Sequence, residues 1–445
     1  MKRHGAMVHR LAHGSFKAVR RVRLPLAPPK NSQESELIGL SGGSMNYIGS
    51  KLSLLPQISR VLDLSDVPPY GIALDIFAGT GVVSQLLKAR GHTVYSNDWQ
   101  YYSYLTCAAL IECDSIPEFE KLLSDYEWGM RIREATSSTS LFPTCSYGSG
   151  KRFMSGSPAT AVLSYLSRLA GEKGAFYEAY CEGGSGNRQY FSRENGMRIQ
   201  AIRDQIEQWS KDKLILGAER AWLISGLLEG ADKVANTASV YGAFLKHIKK
   251  SARKPLQLYA IDPVRSTDAT AQHRAFCADA ETLLRKLREI KLRLIYIDPP
   301  YNSRQYNANY HILETIARWD LENFTPRGVT GLRSADENVS EYCSKRHVEN
   351  AFRRLFQLAN AEFVLFSYND EGLLPREGLE ALFSDYCTDI AFYEIPYRRF
   401  RADSNGENRN YKRDSTHEFL VLGRLSATND TQTESAYLHR TPALA

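Results

Sequence analysis

The stretch "GIALDIFAGTGVVSQLLKARG", Gly71 to Gly91, has the pattern of a strand, a glycine turn and a helix. The apolar run that ends at Phe77 predicts a buried strand, and the apolar positions after Gly81 predict one face of a helix. Glycines in the turn allow the backbone to approach a ligand closely. The turn is not a dinucleotide fingerprint, because Ser84 occupies the place of the third glycine. A nucleotide site and a purely structural turn both stay open for this segment alone.

Further apolar runs along the chain also end in polar residues. Asp98 follows the glycine turn by roughly 20 residues, where an acid that binds ribose hydroxyls is expected. Asp279 lies between a short apolar segment and an amphipathic helix. In "EFVLFSYND", the apolar run Phe363 to Phe366 is followed by Ser367. Carboxyl ends of parallel strands meet at one edge of a sheet. We therefore expect these side chains to converge with Asp75 and Asp298 on one rim.

The segment "LRLIYIDPPYNSRQYNANYH", Leu292 to His311, predicts a fully buried parallel strand that ends in Asp298-Pro299-Pro300-Tyr301. In open α/β sheets, ligands bind outside the carboxyl ends of the strands. A carboxylate, two rigid prolines and an aromatic ring at that place indicate a site. A plain strand-to-loop turn is the alternative, and the acids at the neighbouring strand ends disfavour it.

The alternation of strands and helices stops between Tyr101 and Pro255. Ser192 predicts the N-cap of a helix whose apolar face is formed by Ile199, Ile202, Ile206 and Trp209. Residues 219–247 predict a longer, nearly continuous helix, and the sheet is predicted to resume at residues 256–261. Two segments mix glycine with basic and aromatic residues, as in loops that contact phosphates and bases and in ordinary surface loops alike: Cys145 to Ser157 and Cys181 to Asn195.

Composition narrows the protein class. With 445 residues, 43% hydrophobic and 24% charged, the chain has enough apolar residues for a large core, which excludes general disorder. The net charge of +6 suits a polyanionic partner but does not identify one. Seven cysteines without C-x-x-C spacing indicate neither a disulfide framework nor a zinc site. They favour the cytoplasm, and no apolar run approaches the roughly 20 residues that span a membrane.

The N-terminal leader differs in composition from the rest of the chain. Residues 1–30 contain basic residues and no acidic ones, which is typical of a flexible terminus, a transit peptide or a DNA-binding arm. Met45 stands directly before the first patterned segment and is a candidate start. We interpret residues 1–44 as a basic, flexible leader and residues 426–445 as a flexible tail.

Four motifs resemble, in order, the D12 class of N6-adenine-specific DNA methyltransferases, the family of the Dam methylases. They are "NYIGSK" at Asn46 to Lys51, "DIFAGTG" at Asp75 to Gly81, Asp279-Ala280, and Asp298 to Tyr301. The resemblance runs from about Met45 to Gly423. It implies an α/β fold with a Rossmann-like, S-adenosylmethionine-dependent methyltransferase sheet. It places the catalytic domain at residues 45–104 and 256–425, and a largely helical target-recognition insertion at residues 105–255.

The resemblance also implies S-adenosylmethionine as the methyl donor. Asp75 corresponds to the residue that holds its methionine portion, Asp98 to the one on the ribose and Asp279 to the one on the adenine amine. The full set that the resemblance assigns to the cofactor is Tyr47, Lys51, Asp75, Phe77, Gly79, Gly81, Asp98 and Asp279.

The resemblance assigns the reaction at the adenine amine to the motif Asp298-Pro299-Pro300-Tyr301. The exocyclic amine of adenine is a poor nucleophile because its lone pair is delocalised into the ring. Asp298 and the Pro299 carbonyl can both accept its hydrogens, and the prolines fix that acceptor pair. An adenine inside a duplex cannot reach the donor in line, so it must be flipped out, and Tyr301 offers a ring on which it can stack.

Double-stranded DNA is the expected partner. A cognate restriction endonuclease that acts separately on the same DNA is a candidate second partner. Candidate contacts are Arg304 and Tyr306 after the catalytic motif, and a basic loop between the last two strands with Arg398, Arg399, Arg401, Lys412 and Arg413. Methylation of cytosine N4 or of RNA adenine, a regulator without catalysis, and a dinucleotide oxidoreductase are the alternatives. The glycine spacing disfavours the last of these.

Overall fold

A single mixed sheet runs through the protein. The computed structural model describes residues 19–23, 47–137, 157–334, 339–398 and 415–426. Within these residues eight strands form one sheet in the order β1-β7-β8-β6-β5-β2-β3-β4. They are β1 (Arg20–Arg23), β2 (Ile72–Asp75), β3 (Thr93–Asp98), β4 (Arg274–Cys277), β5 (Leu292–Ile297), β6 (Ala361–Asn369), β7 (Cys387–Arg398) and β8 (Ser415–Leu425).

The strand connections confirm the predicted Rossmann-like α/β class. From β2 the chain moves outward through β3 to β4, then returns to β5 on the other side of β2 and continues to β6, with every one of these neighbours parallel. The direction of winding therefore reverses between β2 and β5, and such a switch point opens a crevice at the carboxyl ends of the strands. The last two strands pair antiparallel, with β8 inserted between β6 and β7.

Helices cover both faces of the sheet, which explains the unbroken apolar runs of β5 and β6. The described α-helices are α1 (Leu55–Asp63), α2 (Val82–Ala89), α3 (Tyr101–Cys107), α4 (Glu120–Ser124), α5 (Tyr126–Ser137), α6 (Pro158–Ser167), α7 (Ala175–Tyr180), α8 (Arg193–Lys211), α9 (Gly217–Lys233), α10 (Ala280–Lys286), α11 (Tyr306–Asn309), α12 (His311–Arg318), α13 (Val348–Leu358) and α14 (Arg376–Tyr386). Helices α3 to α9 lie between β3 and β4, so the region predicted as an insertion is largely helical.

The predicted helix after Ser192 is confirmed as α8. The Ser192 hydroxyl accepts a hydrogen bond from the Asn195 backbone N–H at 3.3 Å, which caps the helix. The apolar face predicted for it is fully buried, and Trp209 packs at 5.7 Å from the Trp128 ring. The large aromatic side chains give this region a core of its own.

Two other predictions for this region are wrong. Helix α9 ends at Lys233 and does not continue to residue 247. Residues 256–261 are not a strand, and the sheet resumes only at β4. The segment instead lies extended against α9, where the Tyr259 N–H donates to the Gly226 carbonyl at 3.2 Å. A Cβ at Gly226 or at Gly230 would collide with a carbonyl of that segment, so the two glycines permit a contact that replaces sheet pairing.

Part of the leader is also ordered, contrary to the prediction of flexibility. Strand β1 pairs parallel with β7 at the edge of the sheet, with Val22 opposite Tyr393. Arg21 forms an ion pair with Glu380 at 3.0 Å. The other residues of the leader and residues 427–445 lie outside the described residues. None of the described helices is long and apolar enough to cross a membrane.

Candidate active site

A cavity that is partly open to solvent lies at the carboxyl ends of β2, β3 and β5. The structure brings together here twelve of the residues predicted for the site: Tyr47, Lys51, Asp75, Phe77, Gly79, Asp98, Asp279, Asp298, Pro299, Pro300, Tyr301 and Tyr306. Two further predicted residues do not line it. Gly81 lies behind the turn, at the start of α2, and Ser367 is fully buried within the sheet.

The glycine turn closes one side of the cavity. Gly79 has a φ of 53°, and a Cβ there would lie only 3.0 Å from the Tyr47 ring. Gly81 has a φ of 73° and its N–H donates to the Ala78 carbonyl at 2.8 Å. Both positions therefore require glycine, the first because of conformation and a close aromatic ring, the second because of conformation.

Asp98 fixes this turn through both of its carboxylate oxygens. Oδ2 accepts the Gly79 N–H at 2.9 Å, and Oδ1 accepts the Gln100 N–H at 2.8 Å. Burial raises the pKa of Asp98 to about 6, although these two backbone hydrogen bonds act in the opposite direction. The acid predicted for a ribose is thus also the group that holds the turn in place.

Asp75 presents an unpaired oxygen at the cavity. Its Oδ2 accepts the Ser84 hydroxyl at 2.7 Å, whereas Oδ1 has no hydrogen-bond partner among the described residues although the side chain is buried. Burial raises the pKa of Asp75 to about 7, and the Ser84 hydrogen bond acts against that rise. A buried acceptor without a partner is unfavourable, so a ligand with a donor group would be bound here.

Asp279 lines the third side of the cavity. It is the N-cap of α10, and its Oδ1 accepts the Thr282 backbone N–H at 3.0 Å. One oxygen is thereby used by the helix and the position of the other is fixed. No group of three or more His, Cys, Asp or Glu side chains that could hold a metal ion is found in the described part of the chain.

Asp298 is part of a buried ion network at the end of β5. The Lys51 Nζ lies 3.2 Å from Asp298 Oδ1 and 3.4 Å from Glu418 Oε2. The second oxygen of Glu418 accepts the side-chain amide of Asn369 at 3.0 Å. Glu418 and Asn369 are cross-strand partners on β8 and β6, so the antiparallel strand β8 brings the second carboxylate to the site.

The network sets the charges around Asp298. Burial raises the pKa of Asp298 to about 7; Lys51 lowers it and Glu418 raises it. Burial lowers the pKa of Lys51, but the carboxylates of Asp298 and Glu418 outweigh that effect and hold this pKa well above its usual value. Lys51 is therefore a cation near neutral pH, and Asp298 ionises beside it.

An aromatic layer surrounds the segment before Lys51. Tyr47 stacks on Tyr310 with ring centroids 5.0 Å apart. The Ile48 backbone is held from both sides, because its N–H donates to the Tyr310 hydroxyl at 2.7 Å and its carbonyl accepts the Tyr306 hydroxyl at 3.2 Å. These contacts connect α11 and α12 to the segment that delivers Lys51.

Sequence reasoning assigned no role to three of these residues. Glu418 carries the only local signal, an acid directly before the apolar run Phe419 to Leu422. Asn369 follows a buried strand and Tyr310 lies among other tyrosines, so neither is distinctive by itself. Their role depends on strand register and on helix packing, which a single sequence does not display.

Only some of the residues predicted to bind nucleic acid lie within the part of the chain that the structure describes. Arg304 is exposed just after the catalytic motif, and Tyr306 is partly buried at the cavity. Arg398 is the last residue of β7, and its side chain is not described. Arg399, Arg401, Lys412 and Arg413 lie outside the described residues. The antiparallel pairing of β7 with β8 agrees with the predicted hairpin.

One segment predicted to touch bases has a packing role. In the range 181–195, Tyr190 and Phe191 are fully buried, so neither ring is available to stack on a base. Arg188 donates to the backbone carbonyls of Gly328 and Val329 at 2.8 and 3.0 Å. The other candidate segment, residues 145–157, lies outside the described residues except for Ser157.

Comparison with known proteins gives one consistent result. A family model described as D12 class N6 adenine-specific DNA methyltransferase matches residues 47–382. The type II methyltransferase M.NlaIII of Neisseria lactamica is 39% identical over 85% of this chain and 98% of its own length. The modification methylase StsI of Streptococcus sanguinis and the type II methyltransferase M.FokI of Planomicrobium okeanokoites are each 34% identical over 82% of this chain. This chain spans 50% of the length of each of those two proteins.

Proposed function

This chain belongs to the D12 class of N6 adenine-specific DNA methyltransferases, and we propose that its β2–β3–β5 cavity binds S-adenosylmethionine and a flipped adenine side by side. The observation that carries the proposal is the position of Asp298. Its carboxylate lies in the same cavity as the unpaired Asp75 oxygen and the glycine turn. Acceptors for a cofactor ammonium and for a substrate amine are thereby held next to each other.

The residues present fit this cofactor. The buried Asp75 Oδ1 lacks a donor, and an ammonium group of the methionine portion would supply one. The turn at Gly79 lines the cavity, and Asp98 and Asp279 line the part of it assigned to ribose and adenine. When bound, S-adenosylmethionine supplies a methyl group made electrophilic by its sulfonium. The reaction of this family implies that cofactor.

Asp298 and the Pro299 carbonyl act on the target amine. Both accept its hydrogens, which concentrates the nitrogen lone pair on the face opposite to them. Pro299 and Pro300 fix the backbone, so the acceptor pair is positioned before the base arrives. The amine loses a proton when its nitrogen is methylated, and a carboxylate whose pKa is about 7 can accept that proton.

Tyr301 receives the flipped base. Its ring is half-buried at the cavity, and the Lys51 Nζ lies 5.6 Å from the ring centroid. Stacking on an aromatic ring contributes about 1–3 kcal/mol per base, comparable with the few kcal/mol that unpairing costs. The flipped state is therefore accessible without a large additional source of binding energy.

The relatives are named as type II or modification methylases. By analogy, we propose that this protein methylates one short recognition sequence and protects it from an endonuclease of the same specificity. Expression in a host free of adenine methylation, followed by sequencing that detects modified bases, would reveal that sequence. Modified cytosine in place of N6-methyladenine would contradict the assignment of the target.

The site itself is tested by Asp298→Asn. We expect kcat for tritium transfer from labelled donor to DNA to fall on the order of 10²–10⁴-fold, because one of two preorganised acceptors is lost. Donor affinity by isothermal titration should change little, since Asp298 contacts the amine. Asp66→Asn, at an exposed carboxyl before β2, is the control and should retain full activity. Equal loss of donor affinity and of turnover would contradict the role of Asp298.

A further inference from the structure

A run of basic residues without acids lies at the end of the helical region. Between Asp232 and Asp262 the chain contains no acidic residue, and the segment Lys246–Lys254 has the sequence "KHIKKSARK". Nine residues thus carry five lysines or arginines and a histidine. We call the surface formed by this segment the 246–254 surface. The DNA contacts predicted from the sequence are elsewhere, at Arg304 and Tyr306 and in the hairpin between β7 and β8.

The charges of the 246–254 surface are directed to solvent. Lys246, Lys250, Arg253 and Lys254 are exposed. Within the described part of the chain, neither Lys246 nor Lys250 nor Lys254 has an ion pair, and Arg253 has only a long contact of 3.9 Å with Glu182. Several exposed cations of the sheet domain do have carboxylate partners, among them Arg285, which pairs with Glu281, and Arg288, which pairs with Glu289. The concentration of unneutralised charge is therefore local.

Two buried asparagines fix the backbone beneath these charges. The Asn195 amide donates to the Ala252 and Lys254 carbonyls at 3.0 and 2.9 Å. Asn236 accepts the Lys249 N–H at 3.0 Å and donates to the Leu245 carbonyl at 3.0 Å. Both asparagines are almost fully buried, Asn236 with 0% exposure. A surface that is held from below in this way is preorganised, which lowers the entropy lost when a partner binds.

The polypeptide just before this segment is connected to the active site. The Tyr241 N–H donates to the Asn309 carbonyl at 2.9 Å, at the end of α11. Helix α11 begins with Tyr306, which lines the cavity beside Asp298. The Tyr241 ring also lies 6.5 Å from the Tyr310 ring, which stacks on Tyr47 in the cavity wall. The 246–254 surface therefore begins five residues after a contact with the polypeptide that flanks the target site.

We propose that the 246–254 surface binds the phosphate backbone of DNA beside the flipped adenine. This inference rests on the proposed function, because it requires that DNA approaches the cavity. Unneutralised lysines on a fixed backbone attract phosphates, and lysine contacts to phosphate position a duplex without reading its sequence. The surface holds the duplex, and the cavity receives one base from it.

Two matched pairs of substitutions test the proposal. Lys250→Gln with Lys254→Gln removes two charges from the surface. Lys286→Gln with Lys291→Gln removes two equally exposed charges at the amino-terminal edge of the sheet, on the side away from the cavity. The equilibrium dissociation constant is measured by fluorescence anisotropy on a labelled duplex, with and without the recognition sequence, from low to moderate salt. Donor affinity by titration confirms that each variant has a folded cavity.

We expect the surface pair to bind both duplexes about tenfold more weakly, with the slope of log affinity against log salt reduced by up to about 1.8, or 0.9 for each lost contact. The control pair should change the slope by much less. Equal affinities and slopes for the two pairs would overturn the 246–254 surface and leave the proposed function intact. Failure of the unaltered protein to bind any DNA would overturn both.

Discussion

Asp98 and Asp298 stand at the carboxyl ends of two strands of one sheet, and both are buried carboxylates, yet they are compensated differently. Asp98 receives two backbone N–H groups, from Gly79 and Gln100, and no cation among the described residues forms an ion pair with it. Asp298 has the Lys51 ammonium at 3.2 Å, and that lysine is shared with Glu418. One carboxylate is stabilised by peptide dipoles and the other by the full charge of a lysine side chain in a network of three ions.

The difference relates to what each acid does. Backbone dipoles are part of the fold, so the position of Asp98 and of the glycine turn is fixed together with the sheet. The Lys51 ammonium is a side-chain charge that opposes the rise in the pKa of Asp298, so the charge of Asp298 depends on it. We infer that the cofactor side of the cavity is built for rigid placement, whereas the substrate side is built so that a proton can be accepted near neutral pH.

Removal of Lys51 should separate the two acids most clearly. In Lys51→Gln, burial and Glu418 both raise the pKa of Asp298 and nothing opposes them. Activity requires the carboxylate, so the acid limb of kcat should move to higher pH, by about two units. At pH 7 this is a loss of about 10²-fold, with recovery above pH 9. The measurement is kcat for methyl transfer as a function of pH.

The control for Lys51 is Lys88→Gln. Lys88 is a buried lysine too, with Asp114 at 2.9 Å, but it lies on α2 and outside the cavity. Its removal should lower the free energy of unfolding and leave the pH profile in place. A Lys51→Gln enzyme that lost the same fraction of activity at every pH would show that Lys51 does not act through the charge of Asp298.

The same comparison shows what could be predicted from the sequence. The parallel strands β5 and β6 were predicted closely because helices cover both faces, which leaves a continuous apolar run. The convergence of four acids was predicted as well, because carboxyl ends of parallel strands meet at one edge. Both results follow from local pattern and from a general rule of α/β sheets. The two backbone partners of Asp98 are also near in sequence, because Gln100 lies two positions after it and Gly79 belongs to the turn after the neighbouring strand β2.

The Asp298 network could not be predicted in that way. Asp298 and Glu418 are separated by 120 positions, and their approach depends on the insertion of β8 between β6 and β7. The wrong prediction of a strand at residues 256–261 has a related cause. Its apolar pattern is that of a buried strand, and only two glycines on α9 allow it to pack against a helix instead. The local apolar pattern indicates that a segment is buried. Whether the segment pairs in a sheet or packs against a helix depends on residues that are distant in sequence.

Asp98→Asn tests the rigid side of the comparison, with a smaller expected effect. The asparagine oxygen can accept one of the two backbone N–H groups, and its amide would face the other, so the glycine turn loosens. We expect the dissociation constant of the donor to rise roughly tenfold, which corresponds to about 1.5 kcal/mol for a hydrogen bond to a charged group. The acid limb of kcat at saturating donor should stay where it is.

Isothermal titration of the donor measures this effect. Asp212→Asn, at an exposed carboxyl after α8, serves as the matched substitution and should bind the donor normally. A shift of the acid limb in Asp98→Asn would contradict the separation of roles, because it would make Asp98 an influence on the charge of the substrate-side acid.

Glu418→Gln should produce the smallest change, in the direction opposite to that of Lys51→Gln. Glu418 raises the pKa of Asp298, so its neutralisation lowers that pKa and leaves Asp298 as the remaining carboxylate beside Lys51. The carboxylate form then persists to lower pH, and kcat at pH 6 should rise a few-fold while kcat at pH 8 is unchanged, a shift of about half a pH unit. Glu362→Gln, on β6 with Arg424 at 2.8 Å, removes a more exposed strand glutamate elsewhere and should not alter the profile. A shift toward higher pH in Glu418→Gln would mean that Glu418 acts mainly by holding Lys51 in position, since displacement of the lysine raises the pKa of Asp298 as its removal does.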